Sequence, residues 1–453
     1  MRITLQDKDL PDSWYNIYPD LEFTVPPPLG AHGFSLKYDD LEPLASDSII
    51  RQELEQEEQE IVIPKPLRDL YSEYRPTPLF RAERLEKELD SPARIFYKYE
   101  GSSPSGSYEF NTAIAQAYYA SQYKDSGITC LVTASGNGEW GVSTAIACNF
   151  FNLQCKIYMV KSAYEDKVFG RYLMELLGAE VIPSPSTITN AGRKILARDP
   201  DCSGSLGIAL GEAYEEAFSR ADTKFAWGTV MNHVLLHQTL IGLESRAQLK
   251  RVNADPDICI ATVGGGSGFG GLIFPFYKKR KRDTRFIAVE TAAAPSLSKG
   301  RYTWDYTDTE KMGPMLKMYT LGHSFVPPGI RAGGMRYHGI SPVISTLFRE
   351  QVIEAKICTQ RQAFDAAITF SRTEGYVPSP ESAYAIKAVI DEAMICKQEN
   401  KRKNILFLLS TNSNLDITAF RDFLAGSIED QHAQDSQINK AMEDLPQISQ
   451  DKV

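Results

Sequence analysis

Three loops that follow predicted strands carry residues suited to anion binding or proton chemistry. In the first loop, four near-consecutive glycines let backbone N–H groups converge on one point, and the helix that follows adds its positive end. This pattern predicts a phosphate cup; a tight strand-to-helix turn is the alternative interpretation. The cup residues are Gly264, Gly265, Gly266, Ser267 and Gly268.

The other two loops offer small and neutral polar groups. One has exposed amides at a helix start, which suit a substrate carboxylate but are equally typical of a structural turn. Its residues are Ser135, Gly136, Asn137, Gly138, Glu139 and Trp140. The third loop begins at Ser410, whose hydroxyl could form one specific hydrogen bond to a heteroaromatic nitrogen or a carbonyl; turn chemistry is the alternative.

Short apolar runs separated by helical stretches must position these loops. The runs are predicted strands at 95–99, 128–133, 155–160, 258–263, 286–289 and 405–409. Such alternation indicates βαβ units and open, doubly wound sheets of an α/β protein. Ligands of these sheets bind at the carboxyl ends of the strands, so the three loops are where we expect the chemistry.

Composition narrows the class of protein. The 453 residues are 43% hydrophobic, which is ample for two or three domains. The net charge of −9 has the wrong sign for binding nucleic acid or an anionic membrane, so we expect neither partner. No apolar run approaches a membrane span of about 20 residues, and the first residues lack the pattern of a signal peptide. The seven cysteines are scattered without zinc spacing, which is typical of reduced thiols, and we expect a cytoplasmic location.

The two ends of the chain differ from the middle. Residues 1–65 are interpreted as an irregular N-terminal extension with an acidic run from Glu53 to Glu60, expected to be a solvated helix face. Residues 426–453 are rich in Gln, Asp and Ser and are expected to form a flexible polar tail.

Motifs spread over nearly the whole length resemble those of the tryptophan synthase beta chain family, in its long second-type variant. The matching segments include Arg-Pro-Thr-Pro-Leu at 75–79, Leu-Gly-Ala-Glu at 177–180, Gly-Gly-Gly-Ser at 264–267, Arg-Tyr-His-Gly at 336–339 and Pro-Glu-Ser-Ala at 380–383. The resemblance implies the fold-type-II architecture, with two doubly wound open-sheet α/β domains, pyridoxal phosphate between them, and a homodimer. We expect a larger domain at 66–110 and 226–425, which carries the phosphate-cup loop, and a smaller domain at 111–225.

The resemblance also implies differences at the cofactor. Family members carry Gly-Ser-His-Lys-x-Asn, whose lysine forms the Schiff base to pyridoxal phosphate, whereas this chain has Glu109 at the lysine and Tyr108 at the histidine. A carboxylate cannot form an imine, so we expect no covalently bound cofactor. Ser410 matches the serine at the pyridine nitrogen, and Glu374 matches an acidic residue near the ring. Ala134 stands at the family's catalytic glutamate.

These differences lead to one main hypothesis and two alternatives. We expect an enzyme, a lyase or isomerase independent of pyridoxal phosphate, that uses Glu109 and Tyr108 in acid/base elimination, cyclisation or isomerisation of a small specialised metabolite. Substrate would contact Asn111 and the loop from Ser135 to Trp140. The first alternative is a β-elimination or β-replacement lyase that holds pyridoxal phosphate, or another phosphate-bearing ligand, noncovalently. The second is a non-catalytic, metabolite-binding or regulatory relative, and an alpha-chain-like partner is left open.

Other residues are weaker candidates. Lys98 and Lys161 could stand in for the missing lysine only if either reached the pocket. His233 and His237 are spaced for one face of a helix, but no third ligand is evident. We therefore interpret the two histidines as helix packing and expect no metal site.

Overall fold

A computed structural model describes residues 1–278 and 283–448 of the chain. The strands in this part of the chain are β1 Arg2–Ile3, β2 Ser13–Tyr15, β3 Glu60–Val62, β4 Leu79–Arg81, β5 Arg94–Tyr99, β6 Cys130–Ser135, β7 Gln154–Val160, β8 Glu180–Ser184, β9 Thr223–Phe225, β10 Ile258–Thr262, β11 Arg285–Thr291, β12 Arg301–Tyr306, β13 Met315–Thr320, β14 Glu354–Cys358 and β15 Asn404–Leu409.

Helices separate most of these strands. They are α1 Tyr38–Leu41, α2 Asp47–Leu54, α3 Lys65–Ser72, α4 Glu83–Glu88, α5 Phe110–Ser121, α6 Glu139–Phe150, α7 Lys161–Asp166, α8 Val168–Leu176, α9 Asn190–Arg198, α10 Leu206–Ser219, α11 Asn232–Gln238, α12 Leu240–Arg251, α13 Ser267–Tyr277, α14 Ser296–Lys299, α15 Pro342–Arg349, α16 Gln360–Glu374, α17 Pro380–Gln398, α18 Ile417–Leu424 and α19 Asp435–Met442.

Two open sheets organise the fold. The larger has seven strands in the order β1-β4-β5-β15-β10-β11-β14, parallel from β5 onward and antiparallel at the edge formed by β1 and β4. The smaller has four parallel strands in the order β8-β7-β6-β9. The non-consecutive order of parallel strands is what helical crossovers produce, as the alternating sequence pattern predicts.

Both faces of the larger sheet are buried, which explains its continuous apolar strands. In β10, Ile258 and Ile260 belong to one hydrophobic cluster, whereas the alternate residues Cys259 and Ala261 belong to another. Helix α17 contributes to the first cluster and helix α13 to the second. Successive side chains of a strand point to opposite faces, so helices must cover both sides of this sheet.

A buried ion-pair network links strand β5 and the residues beside it to helix α12. The Glu244 carboxylate lies 2.8 Å from Nε of Arg75 and 2.6 Å from Nζ of Lys98. Arg75 also pairs with Glu100 at 2.8 Å, and all four side chains are inaccessible to solvent. Two cations face two anions, so the charges of this network balance.

The N-terminal extension is more regular than we expected. Strand β1 pairs with β4 in the larger sheet, and β2 pairs with β3. Trp14 is fully buried, with its ring centroid 4.6 Å from that of His237. The acidic run is also only partly solvated, because the buried Glu53 carboxylate lies 2.6 Å from Nδ1 of His233.

The C-terminal segment differs from the expected flexible tail over part of its length. Helix α19 buries Ile438 and Ala441 against Leu321 and Phe325. These apolar residues recur at the spacing of one helix face, a signal that the polar composition of the segment conceals. Residues 449–453 of the expected tail lie outside the described residues. Within 1–278 and 283–448, every helix is too short or too polar to cross a bilayer.

Removing one member of the balanced network should destabilise the fold strongly. We expect Glu244→Ala to lower the free energy of unfolding by about 3–5 kcal/mol, because it leaves two buried cations undercompensated. Urea unfolding monitored by circular dichroism measures this difference. In the control, Glu83→Ala breaks an exposed ion pair with the N-terminus and should cost no more than about 1 kcal/mol. Equal effects of the two substitutions would contradict the importance of the network.

Candidate active site

A cavity lies where parallel strands of the two sheets end. Its wall includes residues at the carboxyl ends of β6, β10 and β15, and the start of helix α5. This is the edge at which open α/β sheets bind ligands, and the sequence pattern predicted it. The predicted site residues that line the cavity are Tyr108, Glu109, Gly136, Asn137, Glu139, Trp140, Gly264, Gly265, Gly266, Ser267, Gly268 and Ser410.

The glycine-rich loop after β10 forms a tight cradle at the N-terminus of helix α13. Gly266 has φ +102°, and a Cβ atom on Gly265 would lie 2.0 Å from Oγ1 of Thr229. Side chains are therefore excluded at both positions, and the first N–H groups of the helix stay open to the cavity. The Tyr108 hydroxyl lies 3.1 Å from Oγ of Ser267, so it reaches into this cradle.

Glu109 lies on the cavity wall, immediately before helix α5. Its Oε2 atom is buried and has no hydrogen-bond partner. Burial raises the pKa of this carboxyl to about 8, and the nearby Glu381 carboxylate adds to the shift. Glu109 is therefore mostly protonated at neutral pH and can donate a proton to a ligand in the cavity.

Two more buried carboxyl groups face the same cavity. Glu139 begins helix α6 and Glu381 lies in the first turn of α17. Burial raises the pKa of both groups, and for Glu139 the charge of Glu381 raises it further. An ionised Glu139 would repel a substrate carboxylate at this loop. The loop therefore favours an anionic group less than its glycines alone suggest.

Within the described residues, no lysine or arginine lines this cavity. Lys98 is fully buried and donates to Glu244, to Gln248 and to the carbonyl of Thr77. Desolvation lowers the pKa of Lys98 despite the two neighbouring carboxylates, but its amine belongs to the ion-pair network. Lys161, the other candidate, begins helix α7 and is also absent from the wall.

Four predicted site residues lie elsewhere. Asn111 joins the ion-pair network, with its Oδ1 2.8 Å from Nη1 of Arg75. Ser135 accepts hydrogen bonds from the backbone of Gly138 and Gly141, which closes the turn before helix α6. Gly138 has φ +102° and serves that turn.

Glu374 is the clearest correction among them. Its carboxylate accepts a hydrogen bond from the backbone N–H of Leu85 and pairs with Arg84, so it satisfies helix α4 and does not line the cavity. An acidic side chain near unpaired N–H groups in the first turn of a helix is favourable, and that interaction determines its position.

Sequence analysis did not identify Glu381 as a functional residue, although it lies within the Pro-Glu-Ser-Ala motif. Its Oε1 atom accepts hydrogen bonds from Nδ2 of Asn137 and from the N–H of Gly334. The Pro-Glu-Ser-Ala segment was one signal for it, because Ser379 and Pro380 mark the start of a helix. An aromatic wall from Tyr214, Trp227 and Tyr337 was also missed, since these residues come from distant segments.

Comparisons with known proteins agree on the family. The family model described as "Pyridoxal-phosphate dependent enzyme" matches residues 70–411, more than half of the chain. The tryptophan synthase beta chain 2 of Methanosarcina mazei is 48% identical over 432 residues, which cover 94% of this chain and 97% of the relative. The Thermotoga maritima protein of the same name is 49% identical, with 92% and 99% covered.

Solved structures support the fold at much lower identity. A threonine deaminase from T.th. superposes with a TM-score of 0.56 at 20% identity, covering 77% of this chain and 96% of that chain. An L-serine ammonia-lyase from Rhizomucor miehei gives a TM-score of 0.57 at 15% identity, with 78% and 98% covered. The expected fold-type-II α/β class is confirmed.

The comparisons correct our main functional hypothesis. We expected a lyase or isomerase independent of pyridoxal phosphate, and this expectation is wrong, because the matching family model is that of pyridoxal-phosphate dependent enzymes and the curated relatives are tryptophan synthase beta chains. The similarity extends over almost the full length of this chain and of its relatives. The chain belongs to the tryptophan synthase beta chain family of pyridoxal-phosphate dependent enzymes.

Proposed function

We propose that this chain is a pyridoxal-phosphate dependent lyase of the tryptophan synthase beta family that holds the cofactor noncovalently. It would catalyse β-elimination or β-replacement on an amino acid, with Glu109 moving protons in the cavity. The observation that carries the proposal is the cavity wall, where the glycine cradle, Ser410 and Glu109 occur together and no lysine is present among the described lining residues.

The phosphate and the ring have suitable donors. The N–H groups at the start of α13 and the Ser267 hydroxyl form a cradle for a phosphate. The Ser410 hydroxyl is oriented by Oγ of Ser382 at 2.8 Å and faces the cavity, where a pyridine nitrogen could bond to it. With a phosphate in the cradle, the Tyr108 hydroxyl would either donate a hydrogen bond to it or lose its hydrogen bond to the Ser267 hydroxyl.

No amine on the described cavity wall could attach pyridoxal phosphate covalently. An imine needs an amine, and at the position that the family resemblance assigns to the lysine the chain has a carboxyl group. Lys98 cannot replace it without abandoning Glu244 and Gln248 in a fully buried network. The residues therefore fit pyridoxal phosphate as a reversibly bound ligand.

Glu109 and Tyr108 define what the chain itself can contribute. When bound, pyridoxal phosphate supplies an electron sink for charge that develops on the substrate carbon. Glu109, mostly protonated at neutral pH, can donate its proton to a leaving group and accept one afterwards. Burial raises the pKa of Tyr108, so its hydroxyl stays a neutral hydrogen-bond donor.

The quaternary partners are proposals as well. A homodimer follows from the family resemblance, and the relatives are named beta chains of a synthase. We therefore propose that the chain forms a homodimer, and that an alpha-type chain is the next partner to test. Sedimentation of the purified chain, alone and with the alpha subunit of a second-type synthase, would distinguish these assemblies.

Titration with pyridoxal phosphate tests the mode of cofactor binding. The wild-type chain should bind it reversibly, lose it on dialysis, and show no mass adduct after borohydride reduction. Glu109→Lys places an amine at the cavity wall and should gain both the visible absorbance of an imine and the adduct. Glu109→Gln should keep cofactor binding but reduce turnover about 10²- to 10⁴-fold, because it cannot transfer a proton.

Glu290→Gln is the matched control, since Glu290 is buried at the end of β11 and does not line the cavity. It should change neither binding nor turnover by more than a small factor. Failure of the wild-type chain to bind pyridoxal phosphate, or a reduced adduct on one of its own lysines, would reject the proposal.

The raised pKa of Glu109 predicts a pH dependence of stability. An unfolded glutamate releases its proton near its ordinary value of 4.5, whereas folded Glu109 keeps it up to about 8. The folded state thus binds more protons between these values, and stability falls by about 1.4 kcal/mol per pH unit as pH rises through this window. Below the window the contribution of Glu109 is fully present.

Glu109→Gln removes this contribution, so its stability should rise relative to wild type as pH increases from about 5 to 8. Urea unfolding at half-unit pH steps measures the difference. Glu165→Gln alters an exposed carboxylate and should follow the wild-type curve. Parallel curves for wild type and Glu109→Gln would show that Glu109 titrates normally.

A further inference from the structure

We propose that Glu139, Glu381 and Asp416 form a binding site for one hard divalent cation, such as Mg²⁺, Mn²⁺ or Ca²⁺, beside the cavity. The site is separate from the glycine cradle and uses only oxygen ligands. Neither the proposed cofactor nor the proposed reaction is needed for a cation to bind there.

The geometry of the three carboxylates suits a single ion. Each residue offers one oxygen, and the three oxygens lie within 4.8 Å of one another. Oxygens on opposite sides of a Ca²⁺ ion are separated by about 4.6–5.2 Å, and neighbouring ones are closer. All three oxygens can therefore contact one ion with small side-chain adjustments, and waters could complete its coordination.

Unused oxygen atoms in the group point to a ligand independently of the clustering. Oε1 of Glu139 and Oε2 of Glu381 are buried without a hydrogen-bond partner, on side chains of residues only 6% and 7% exposed. A buried polar atom without a partner is costly, so such atoms mark places where a ligand is expected. A cation bound by the group would supply a partner to side chains that lack one.

Local structure holds the ligands in place. Glu381 is oriented by two hydrogen bonds to its other oxygen, from Nδ2 of Asn137 at 2.9 Å and the N–H of Gly334 at 3.0 Å. Asp416 precedes helix α18, where its Oδ1 lies 2.6 Å from Nζ of Lys167. Glu139 begins helix α6 after the left-handed Gly138. Ligands fixed in this way lose little freedom when an ion binds.

The charges of the group also favour a divalent ion. Three carboxylates face one ammonium, that of Lys167, which leaves two negative charges when all three are ionised. A divalent cation balances these charges, whereas a monovalent ion leaves one uncompensated. Protons can also neutralise these carboxylates. The experiment must therefore distinguish a bound divalent cation from carboxyl groups that only hold protons.

Binding of Mn²⁺ to the full chain, freed of metal by chelation and kept without pyridoxal phosphate, tests the site. Electron paramagnetic resonance counts bound ions, and Mg²⁺ and Ca²⁺ are added as competitors. We expect one bound Mn²⁺ per chain, displaced by either competitor. Glu139→Gln and Glu381→Gln should each weaken binding at least tenfold, because each removes a charged ligand.

Lys167→Gln should change the affinity for Mn²⁺ in the opposite direction. It removes the neighbouring positive charge and should strengthen Mn²⁺ binding several-fold. Glu290→Gln, a buried carboxylate outside the group, should leave the affinity unchanged. Melting temperatures with and without Mn²⁺ show whether each variant is folded, and the increase on adding Mn²⁺ should be lost in Glu139→Gln.

Absence of Mn²⁺ binding at millimolar concentration, or equal affinity in wild type and both glutamine variants, would overturn the proposal. Carboxylates that share protons only would give the first result, and adventitious surface binding would give the second. Because no cofactor is present, neither result bears on the proposed lyase activity.

Discussion

Carboxyl groups that outnumber the cations near them are the constraint on which the cavity of this protein depends. Glu109, Glu139 and Glu381 all line it, and the described part of its wall contains no lysine or arginine. Taking an ionised carboxylate out of water is expensive, so each group must hold a proton, find a cation or unfold its surroundings. The raised pKa values of the three carboxyl groups are the first of these responses.

The ion-pair network in the same molecule shows the contrasting case. The side chains of Arg75, Lys98, Glu100 and Glu244 are buried more deeply than the cavity carboxyls, yet their charges balance. There the arginine and lysine hold the pKa of Glu100 below its ordinary value. Burial alone therefore does not decide the protonation state; the number of neighbouring cations does.

This contrast also explains why the fully buried Lys98 does not compensate for Glu109. Lys98 lies on β5, the strand that leads toward Glu109, but its side chain points to helix α12 and Glu244. Moving it into the cavity would leave Glu244 and Gln248 unsatisfied in the interior. The network thus keeps Lys98 and Arg75 away from Glu109, and proton chemistry at the cavity wall is left to carboxyl groups.

The resemblance of its motifs to those of the tryptophan synthase beta family placed Glu109 at the cavity. The sequence pattern by itself determined the alternation of strands and helices and the three strand-end loops. These follow from local rules: apolar runs form buried strands, glycines permit tight turns, and parallel strands present their carboxyl ends together. Only the tertiary structure decided that Glu374 satisfies helix α4, that Asn111 belongs to the ion-pair network, and that Glu381 and Asp416 lie beside Glu139. The physical reason is that these contacts join segments far apart in the sequence, and the direction of a side chain depends on which buried partner it meets.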